Sequence, residues 1–313
     1  MDTACRGIVL TPGDLVGTDW PGLGAGAGLN TIALHPFPEP AMAFVQSEAG
    51  QGFLAACRDH GLQIEYELHA MAYLLPRDRF ERQQELFRMN EAGERVPDAN
   101  LCPSSAEALQ VVGERAAALS RVLRPTTGRY FLWADDGAPW CQCPECRGLG
   151  PADQNLIVMN AIVRALRHED PAATLAVLAY INTLEPPTQV AAEPGLFLEF
   201  APIEQDPGRP LTDPECQANQ RLVQQFEALV AFYGAEEAQI LGYWLDCSRF
   251  SGWKRPSVEV PYADPVVRSD LAYFRAHGVR HVTTFGAWLD ADYMARFGVP
   301  PVAAYGQALR EVQ

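Results

Sequence analysis

Two acids and three thiols follow one predicted strand of the chain. Asp135 and Asp136 stand directly after residues 130–133, an apolar and aromatic run typical of a buried strand. A Gly-Ala-Pro turn and a group of closely spaced thiols come next: Cys141, Cys143 and Cys146. Paired carboxyl groups can transfer protons, and clustered thiolates can bind a metal ion. This one loop could therefore do two kinds of chemistry.

The acid pair needs a break in the strand to act at a single site. Neighbouring residues on a regular strand point to opposite sides, so Asp135 and Asp136 can face one site only if the chain leaves strand geometry. Gly137 permits such a break. Repulsion would then separate the two pKa values and give one proton donor and one persistent carboxylate. The alternative is that one acid only holds backbone amides in the loop.

The spacing of the three thiols is typical of metal ligands, and a Cys-x-x-Cys turn favours tetrahedral zinc. A fourth ligand has to come from another segment, and Cys102 or Cys247 could supply it. We expect one structural zinc, which would stiffen the loop rather than catalyse, with these ligands: Cys102, Cys141, Cys143 and Cys146. A disulfide and free thiols remain open alternatives, and an iron–sulfur cluster would need a fourth ligand too.

Eight short strands are predicted, and most are followed by a segment with helical spacing of apolar residues. They cover residues 7–10, 30–34, 63–68, 130–133, 175–179, 196–200, 240–244 and 281–285. Strands that alternate with helices imply a parallel sheet, and eight of them imply a closed (β/α)8 barrel, the TIM barrel. We predict one domain over residues 1–313, with a long insertion after the third strand that holds an extra helix at 77–90.

Local signals predict where several helices begin and end. Residues 57–62 and 274–279 resemble each other, and in each a helix should end at a glycine just before a strand. Asp213-Pro214 and Asp264-Pro265 each place an acid at a predicted N-cap and a proline at the first helical position.

The residues that follow the predicted strands are acids interleaved with aromatics. In barrels of this kind the site lies at the carboxyl ends of the strands. Aromatic rings stack on sugars, carboxylates bind hydroxyls, and glycoside cleavage uses two carboxyl groups. The predicted catalytic carboxylates are Asp135, Asp136, Glu199 and Asp246. The predicted substrate contacts are His35, His69, Tyr180, Asn182, Trp244 and Trp288. The alternative is that loops are polar in any case and that the tryptophans only cap the barrel.

Composition excludes several partners. The formal charge of −15 argues against nucleic acid and anionic membranes, because their binding needs a basic surface. No apolar run approaches the ~18 residues of a membrane-spanning helix. The first residues do not have the basic-then-apolar pattern of a signal peptide, and five scattered cysteines suit reduced thiols. We therefore expect a cytoplasmic protein with a carbohydrate substrate.

The order of the motifs resembles a bacterial family of unknown function. Residues 133–146 have the pattern WADDGxxxCxCxxC, residues 178–187 the pattern LAYxNTxxPP and residues 242–244 the sequence GYW. Asn160 lies on a helix between the first two, and NLCPS stands at residues 100–104. The barrel of that family is related to the α-glucuronidases and the β-N-acetylhexosaminidases. The resemblance covers most of the chain from about His69 onward and implies a glycosidase-like barrel.

The acid pair is also similar to the Asp-Asp pair of O-GlcNAcases and the Asp-Glu pair of hexosaminidases. In those enzymes the first acid orients a substrate acetamido group that attacks the anomeric carbon, and the second is the general acid. The resemblance therefore implies that Asp135 orients the substrate and that Asp136 is the acid. Glu199 and Asp246 are the best candidates for the separate base of the α-glucuronidases. The chain departs from both families, since it lacks the glycine-rich lead into the pair.

Three hypotheses of function follow. The first is an exo-acting glycoside hydrolase with Asp136 as general acid. The second is a carbohydrate-binding barrel without catalysis. The third is a metal-dependent barrel hydrolase or isomerase that uses His35, His69 and the acids, although six histidines and no His-x-His pair make this less favoured.

Overall fold

Eight parallel strands lie side by side in chain order in the computed structural model, which describes residues 4–311. The strands are β1 (Gly7–Leu10), β2 (Thr31–Leu34), β3 (Gln63–His69), β4 (Arg129–Trp133), β5 (Thr174–Ala179), β6 (Leu196–Phe200), β7 (Gln239–Gly242) and β8 (His281–Thr284). Two isolated parallel bridges, Arg6 with Val282 and Val9 with Phe285, join β1 to β8. The predicted (β/α)8 barrel is confirmed, and every strand begins and ends within two residues of its predicted bounds.

Helices occupy most of the connections between strands. They are α1 (Trp20–Ala27), α2 (Pro38–Gln46), α3 (Glu48–Asp59), α4 (Met71–Leu74), α5 (Ala106–Ser120), α6 (Pro151–Glu169), α7 (Gln217–Tyr233), α8 (Cys247–Phe250), α9 (Asp264–Ala276), α10 (Ala291–Phe297) and α11 (Val302–Glu311). Between β5 and β6 the chain forms a short 3-10 helix, Ile181–Thr183, where a regular barrel has an α-helix. Within residues 4–311, no helix has both the length and the apolar character needed to cross a bilayer.

The strands are buried on both faces, because the barrel interior is filled and helices cover the outside. Phe131, Phe197 and Leu241 belong to the apolar cluster inside the barrel. Residues of the other register, such as Leu34 and Leu132, pack outward in the larger cluster under the helices. The side-chain period of two therefore decides which residue of each strand can reach the barrel mouth.

The two predicted glycine ends of helices are confirmed. Gly61 and Gly278 adopt φ values of 70° and 89°, in the left-handed region that glycine reaches without a steric penalty. After each glycine the backbone closes on the last helical turn, with Leu62 N donating to Cys57 O at 2.8 Å in the first case. The chain thereby reverses direction and enters the next strand within a few residues.

The extra helix predicted at 77–90 is wrong, although the long insertion itself is present. The segment forms two 3-10 turns, Arg77–Glu81 and Gln84–Leu86. The carbonyls of residues 86, 88 and 89 accept hydrogen bonds from the backbone amides of Cys102, Val96 and Gln142. Because these carbonyls bind other segments, they are not available for a regular α-helix.

Two predicted helix starts are displaced. Helix α7 begins at Gln217, and Asp213 instead accepts from the backbone amide of Glu215 at 2.9 Å, in a turn that precedes the helix. Helix α9 begins at Asp264 itself, so the acid is the first helical residue rather than the N-cap. The Asx turn at Asp213 competes with the helix for the same backbone groups.

Candidate active site

A pocket of about 260 Å³ opens among the loops that follow the strands. Aromatic rings and two carboxyl groups dominate its wall. The lining residues are Thr11, His35, His69, Trp133, Asp136, Leu178, Tyr180, Ile203, Leu241, Tyr243, Asp246, Ser248, Trp253, Phe285, Ala287 and Trp288.

Asp136 lies in the pocket wall at the end of β4. One of its carboxylate oxygens, Oδ1, is 3.3 Å from Nδ1 of His69. Burial raises the pKa of Asp136, His69 lowers it in part, and the neighbouring charge of Asp135 raises it further. A carboxyl group with a raised pKa retains its proton closer to neutral pH, which is what a proton donor requires.

Asp135 does not face this pocket, contrary to the expectation that it orients substrate. Its Oδ2 accepts from Nη2 of Arg77 at 2.8 Å and from the backbone amide of Asn100 at 2.6 Å. In return, its own backbone amide donates to Oδ1 of Asn100 at 3.1 Å. The two neighbouring acids point to opposite sides, as they would on an extended chain, so one acid anchors the loop and the other reaches the pocket. Gly137 has a φ of 56° but does not bring the acids together.

Asp246 is the second carboxyl group of the pocket, three strands further round the barrel. It caps α8, and its Oδ1 accepts from Oγ of Ser248 at 2.6 Å and from the backbone amide of Arg249 at 3.2 Å. Burial raises the pKa of Asp246, and these hydrogen bonds offset part of the rise.

Glu199 lies inside the barrel and does not line the pocket, so its predicted place among the catalytic carboxylates is corrected. It is fully buried, and its Oε2 accepts from Nε1 of Trp133 at 2.7 Å. Burial raises the pKa of Glu199 to about 8. It follows Leu198, which points outward, so its side chain enters the barrel beneath the mouth.

His35 and His69 meet in the pocket, with ring centroids 5.0 Å apart. Nδ1 of His35 is 2.8 Å from the carbonyl oxygen of Glu67. Burial and the neighbouring His69 lower the pKa of His35 to about 3, so the ring is neutral. Because a carbonyl only accepts, Nδ1 carries the proton, and Nε2 is left as a hydrogen-bond acceptor.

Tyr180 and Trp288 line the pocket as predicted, whereas Asn182 lies in a neighbouring cavity of about 20 Å³ beside Asp135. The backbone amide of Trp288 donates to Oδ1 of Asp14 at 2.9 Å, and this bond ties the loop after β8 to the loop after β1. The side-chain amide of Asn182 donates to the carbonyl of Ala138 at 3.0 Å and so supports the loop that follows Asp136.

Trp244 lies outside the barrel, and its predicted contact with substrate is wrong. Its side chain is 5% exposed, and Nε1 donates to Oδ2 of Asp270 on α9 at 3.1 Å. Tyr243, the preceding residue, lines the pocket instead, as Leu241 does. Sequence reasoning missed Tyr243, because the period of two places it on the same side as Leu241 but does not show which side faces the pocket.

Four buried cysteines form a second candidate site, and all their sulfur atoms lie within 4.8 Å of one another: Cys102, Cys141, Cys143 and Cys146. The Sγ of Cys102 is 3.6, 3.8 and 4.0 Å from those of Cys141, Cys143 and Cys146. A tetrahedral ion with metal–sulfur bonds of about 2.3 Å has sulfur–sulfur edges of about 3.8 Å. The cluster could hold a metal ion.

Donors surround this cluster as they surround known thiolate sites. The backbone amide of Met89 is 3.3 Å from Sγ of Cys141, and Nη1 of Arg95 is 3.7 Å from the same atom. Such donors offset the negative charge of bound thiolates. Cys247 lies elsewhere, with its thiol directed to the carbonyl of Val258 at 3.3 Å. The eight cysteines, which all fall in the described part of the chain, form no disulfide.

His35 and His69 belong to no group of three or more potential metal ligands among the residues that the structure describes. In residues 4–311, the cysteine cluster is the only group of three or more His, Cys, Asp or Glu residues whose ligand atoms lie close enough for a shared ion. The metal-dependent hydrolase hypothesis, which relied on His35, His69 and the acids, therefore has no geometric support.

A comparison with protein families finds a match to DUF4838, a domain of unknown function, over residues 42–246. The chain belongs to this family. The match spans about two thirds of the chain. It includes residues 135–146, which carry the acid pair and three clustered thiols and are called the acid–cysteine loop below. A comparison with curated proteins finds no match for this DUF4838 chain.

Solved structures with the same barrel include several glycoside hydrolases. A family 5 enzyme from Prevotella bryantii B14 in complex with a xyloglucan tetradecasaccharide is 12% identical, with a TM-score of 0.56, over 99% of this chain and 96% of that chain. An endo-β-1,4-glucanase from Xanthomonas axonopodis pv. citri is 15% identical, with a TM-score of 0.52, over 92% and 88%. A chitinase from Rhizomucor miehei is 12% identical, with a TM-score of 0.54, over 98% and 99%. The DUF4838 chain thus shares its fold with glycoside hydrolase barrels.

Proposed function

We propose that this DUF4838 protein is a glycoside hydrolase and that Asp136 is its general acid. One observation carries the proposal: Asp136 and Asp246 line the same aromatic pocket at the mouth of the barrel, and burial raises the pKa of both. Two carboxyl groups on one pocket are what glycoside cleavage requires, and stacked rings bind the sugar.

The two acids take different roles in this proposal. Asp136 donates its proton to the glycosidic oxygen as the bond to the anomeric carbon breaks, and Asp246 acts as the carboxylate that supports the opposite side of the reaction. Tyr180 lies near both acids. Burial and then these two charges raise its pKa to about 12, so its hydroxyl stays protonated and can donate to substrate.

The size of the pocket supports action at a chain end. Its volume of about 260 Å³ lies below the range of about 300–1,000 Å³ that is usual for drug-sized ligands. A pocket of this size favours one sugar ring rather than an extended chain, which supports exo-action.

The kinship with α-glucuronidases and β-N-acetylhexosaminidases belongs to the same proposal. In the acid pair of the hexosaminidases the second residue is the general acid, and Asp136 is the second residue of the pair in this chain. Asp135 is engaged with Arg77 and Asn100, so we assign the second carboxyl function to Asp246 rather than to Asp135.

A panel of aryl glycosides in both anomeric forms, including N-acetylhexosaminides and glucuronides, tests the proposal. On a substrate that is cleaved, Asp136→Asn should lower kcat/KM by about 100-fold or more with a phenyl leaving group. The loss should be much smaller with a 2,4-dinitrophenyl leaving group, because that group needs no protonation. Glu236→Gln removes an exposed acid just before β7, at the end of the barrel away from the pocket, and should change neither value.

Two outcomes would contradict the assignment. Equal losses with both leaving groups would show that Asp136 does not act as the acid. Sugar binding without cleavage of any glycoside in the panel would favour a carbohydrate-binding barrel.

We also propose that the cysteine cluster holds one structural Zn²⁺. Its support is the set of sulfur–sulfur distances, complete burial and four thiol donors with no open position. Metal analysis of the purified protein should then find one equivalent of zinc per chain. Free buried thiols suit a reducing compartment, which supports our further proposal of a cytoplasmic location.

A further inference from the structure

Among the described residues, the pocket lining contains two acidic side chains and no arginine or lysine. The two acids are Asp136 and Asp246. His35 is neutral, since burial lowers its pKa to about 3, and His69 already lies 3.3 Å from Asp136. Lys254, next to Trp253 in the sequence, is exposed and is not part of the lining.

Two arginines lie behind the pocket wall rather than in its lining, and other protein groups hold both of them. The charge of Arg249 reaches Asp246 and lowers the pKa of that acid in part. Arg249 uses Nη2 to donate to the carbonyls of Ile203 and Gln205, at 2.9 and 2.7 Å. Arg255 pairs with Asp290 at 2.5 Å, and its guanidinium lies over the ring of Trp288.

Arg77 is bound to the loop that precedes the pocket rather than to the pocket. It donates to Asp135 at 2.8 Å and to the carbonyl of Asn100 at 2.7 Å. All three guanidinium groups lie outside the pocket lining and already donate to other protein groups.

We propose that the pocket selects a sugar with uncharged ring substituents and rejects a uronic acid. The inference rests on the proposed function, because that function makes the pocket a sugar-binding site. The acidic character of the lining is observed independently of that function. On binding, the carboxylate of a uronate would lose its hydration, would gain no cationic partner and would approach two carboxyl groups. Binding of a uronate is therefore disfavoured relative to binding of a neutral sugar.

The same wall offers neutral partners for sugar hydroxyls. Nε2 of His35 is an acceptor, the hydroxyl of Tyr180 is a donor, and the rings of Trp253 and Trp288 provide surfaces for stacking. These groups serve a hexose or an N-acetylhexosamine, and none of them neutralises a carboxylate.

Matched pairs of sugars test the inference without requiring turnover. Calorimetry or ligand-observed NMR would compare glucose with glucuronate and galactose with galacturonate, all at pH 7. We expect at least one neutral sugar to bind about 100-fold more tightly than its uronate. Where both aryl glycosides of a pair are cleaved, kcat/KM should be higher for the neutral glycoside than for the uronide. Failure of cleavage with retained selectivity would reject only the proposed function.

Asp246→Asn tests the cause of the selectivity. Asparagine also caps helices well, so α8 should form, while one pocket charge is removed. Uronate affinity relative to the neutral sugar should rise about 10-fold. Asp59→Asn changes the net charge equally at the exposed end of α3, just before β3 enters the far side of the barrel, and should leave the ratio unchanged.

Three results would overturn the inference. They are a uronate that binds as tightly as its neutral partner, the absence of binding by every neutral sugar, and equal effects of Asp246→Asn and Asp59→Asn on the ratio.

Discussion

Trp133 and Glu199 form a buried donor–acceptor pair beneath the pocket. Oε2 of Glu199 accepts from the indole at 2.7 Å, and Oε1 has no hydrogen-bond partner among the described residues. Since burial raises the pKa of Glu199 from 4.5 to about 8, the folded protein holds this acid protonated at neutral pH. The unfolded chain releases that proton above about pH 4.5.

Glu199 should therefore make the protein less stable as pH rises between about 4.5 and 8. In this window the folded state binds more protons than the unfolded state, so the free energy of unfolding falls by up to about 1.4 kcal/mol per pH unit from this group. Glu199→Gln removes this contribution. The free energy of unfolding of the variant minus that of wild type should therefore be more positive at pH 7.5 than at pH 5. Urea unfolding at the two pH values measures the difference.

Glu91→Gln, at an exposed position, is the control and should unfold in parallel with wild type at both pH values. The assignment of a neutral Glu199 is wrong if Glu199→Gln shows the same pH profile as this control.

Residue types were easier to predict from the sequence than side-chain directions. Asp136 and Trp288 reach the pocket as expected, but Asp135 and Trp244 each lie on the other side of the backbone from it. Parallel strands are buried on both faces, so their composition carries no alternation that could separate Tyr243 from its neighbour. Direction depends on register and on where the strand breaks.

At the scale of elements, the insertion after β3 holds both ends of the acid–cysteine loop. Asn100 adopts a φ of 43°, accepts from the backbone amide of Asp135, and donates from Nδ2 to the carbonyl of Pro139 at 3.2 Å. Two residues later, Cys102 joins the thiol cluster. The motifs that carry both segments were visible in the sequence. The contact between the two segments could not be seen in the sequence. It depends on backbone carbonyls of residues 86–89 that accept hydrogen bonds from other segments and so prevent the predicted helix at 77–90.

Loss of one thiol should therefore loosen the acid–cysteine loop as well as the metal site. Cys143→Ser should lower the zinc content and should reduce the free energy of unfolding by on the order of 3 kcal/mol or more, since metal binding contributes directly to folding. Metal analysis and thermal unfolding measure the two effects. A chelator should lower the Tm of wild type more than that of the variant.

Cys216→Ser is the matched control, because Cys216 is a buried cysteine at the N-cap of α7 outside the cluster. Serine suits an N-cap, so this variant should keep its zinc. A structural zinc is excluded if Cys143→Ser and Cys216→Ser have the same metal content and the same Tm.

At the scale of the whole molecule, Arg129 joins strands across the barrel interior. From β4 its Nη2 donates to Oε1 of Gln239 on β7 at 3.2 Å, and its Nε lies 3.7 Å from Glu65 on β3. Its guanidinium also lies 4.0 Å from the ring centre of Phe197 on β6. The alternation of acids and apolar residues in β3 is typical of a strand with a solvent face, yet Glu65 and Glu67 are fully buried. The sequence predicted the closed barrel. That the polar face of β3 points into the barrel interior is seen only in the structure.

Removing this cation should destabilise the barrel as a unit. Arg129→Met leaves Glu65 buried without its charged neighbour and should lower the free energy of unfolding by about 3–5 kcal/mol. Adding Glu65→Gln should restore part of the loss, because the uncompensated carboxyl group is then gone. Arg164→Met breaks an exposed pair with Glu193, 3.5 Å apart, and should cost about 1 kcal/mol or less. Urea unfolding of wild type, the two single variants and the double variant measures these differences. Equal losses in the free energy of unfolding for Arg129→Met and Arg164→Met would mean that the interior charge does not hold the barrel together.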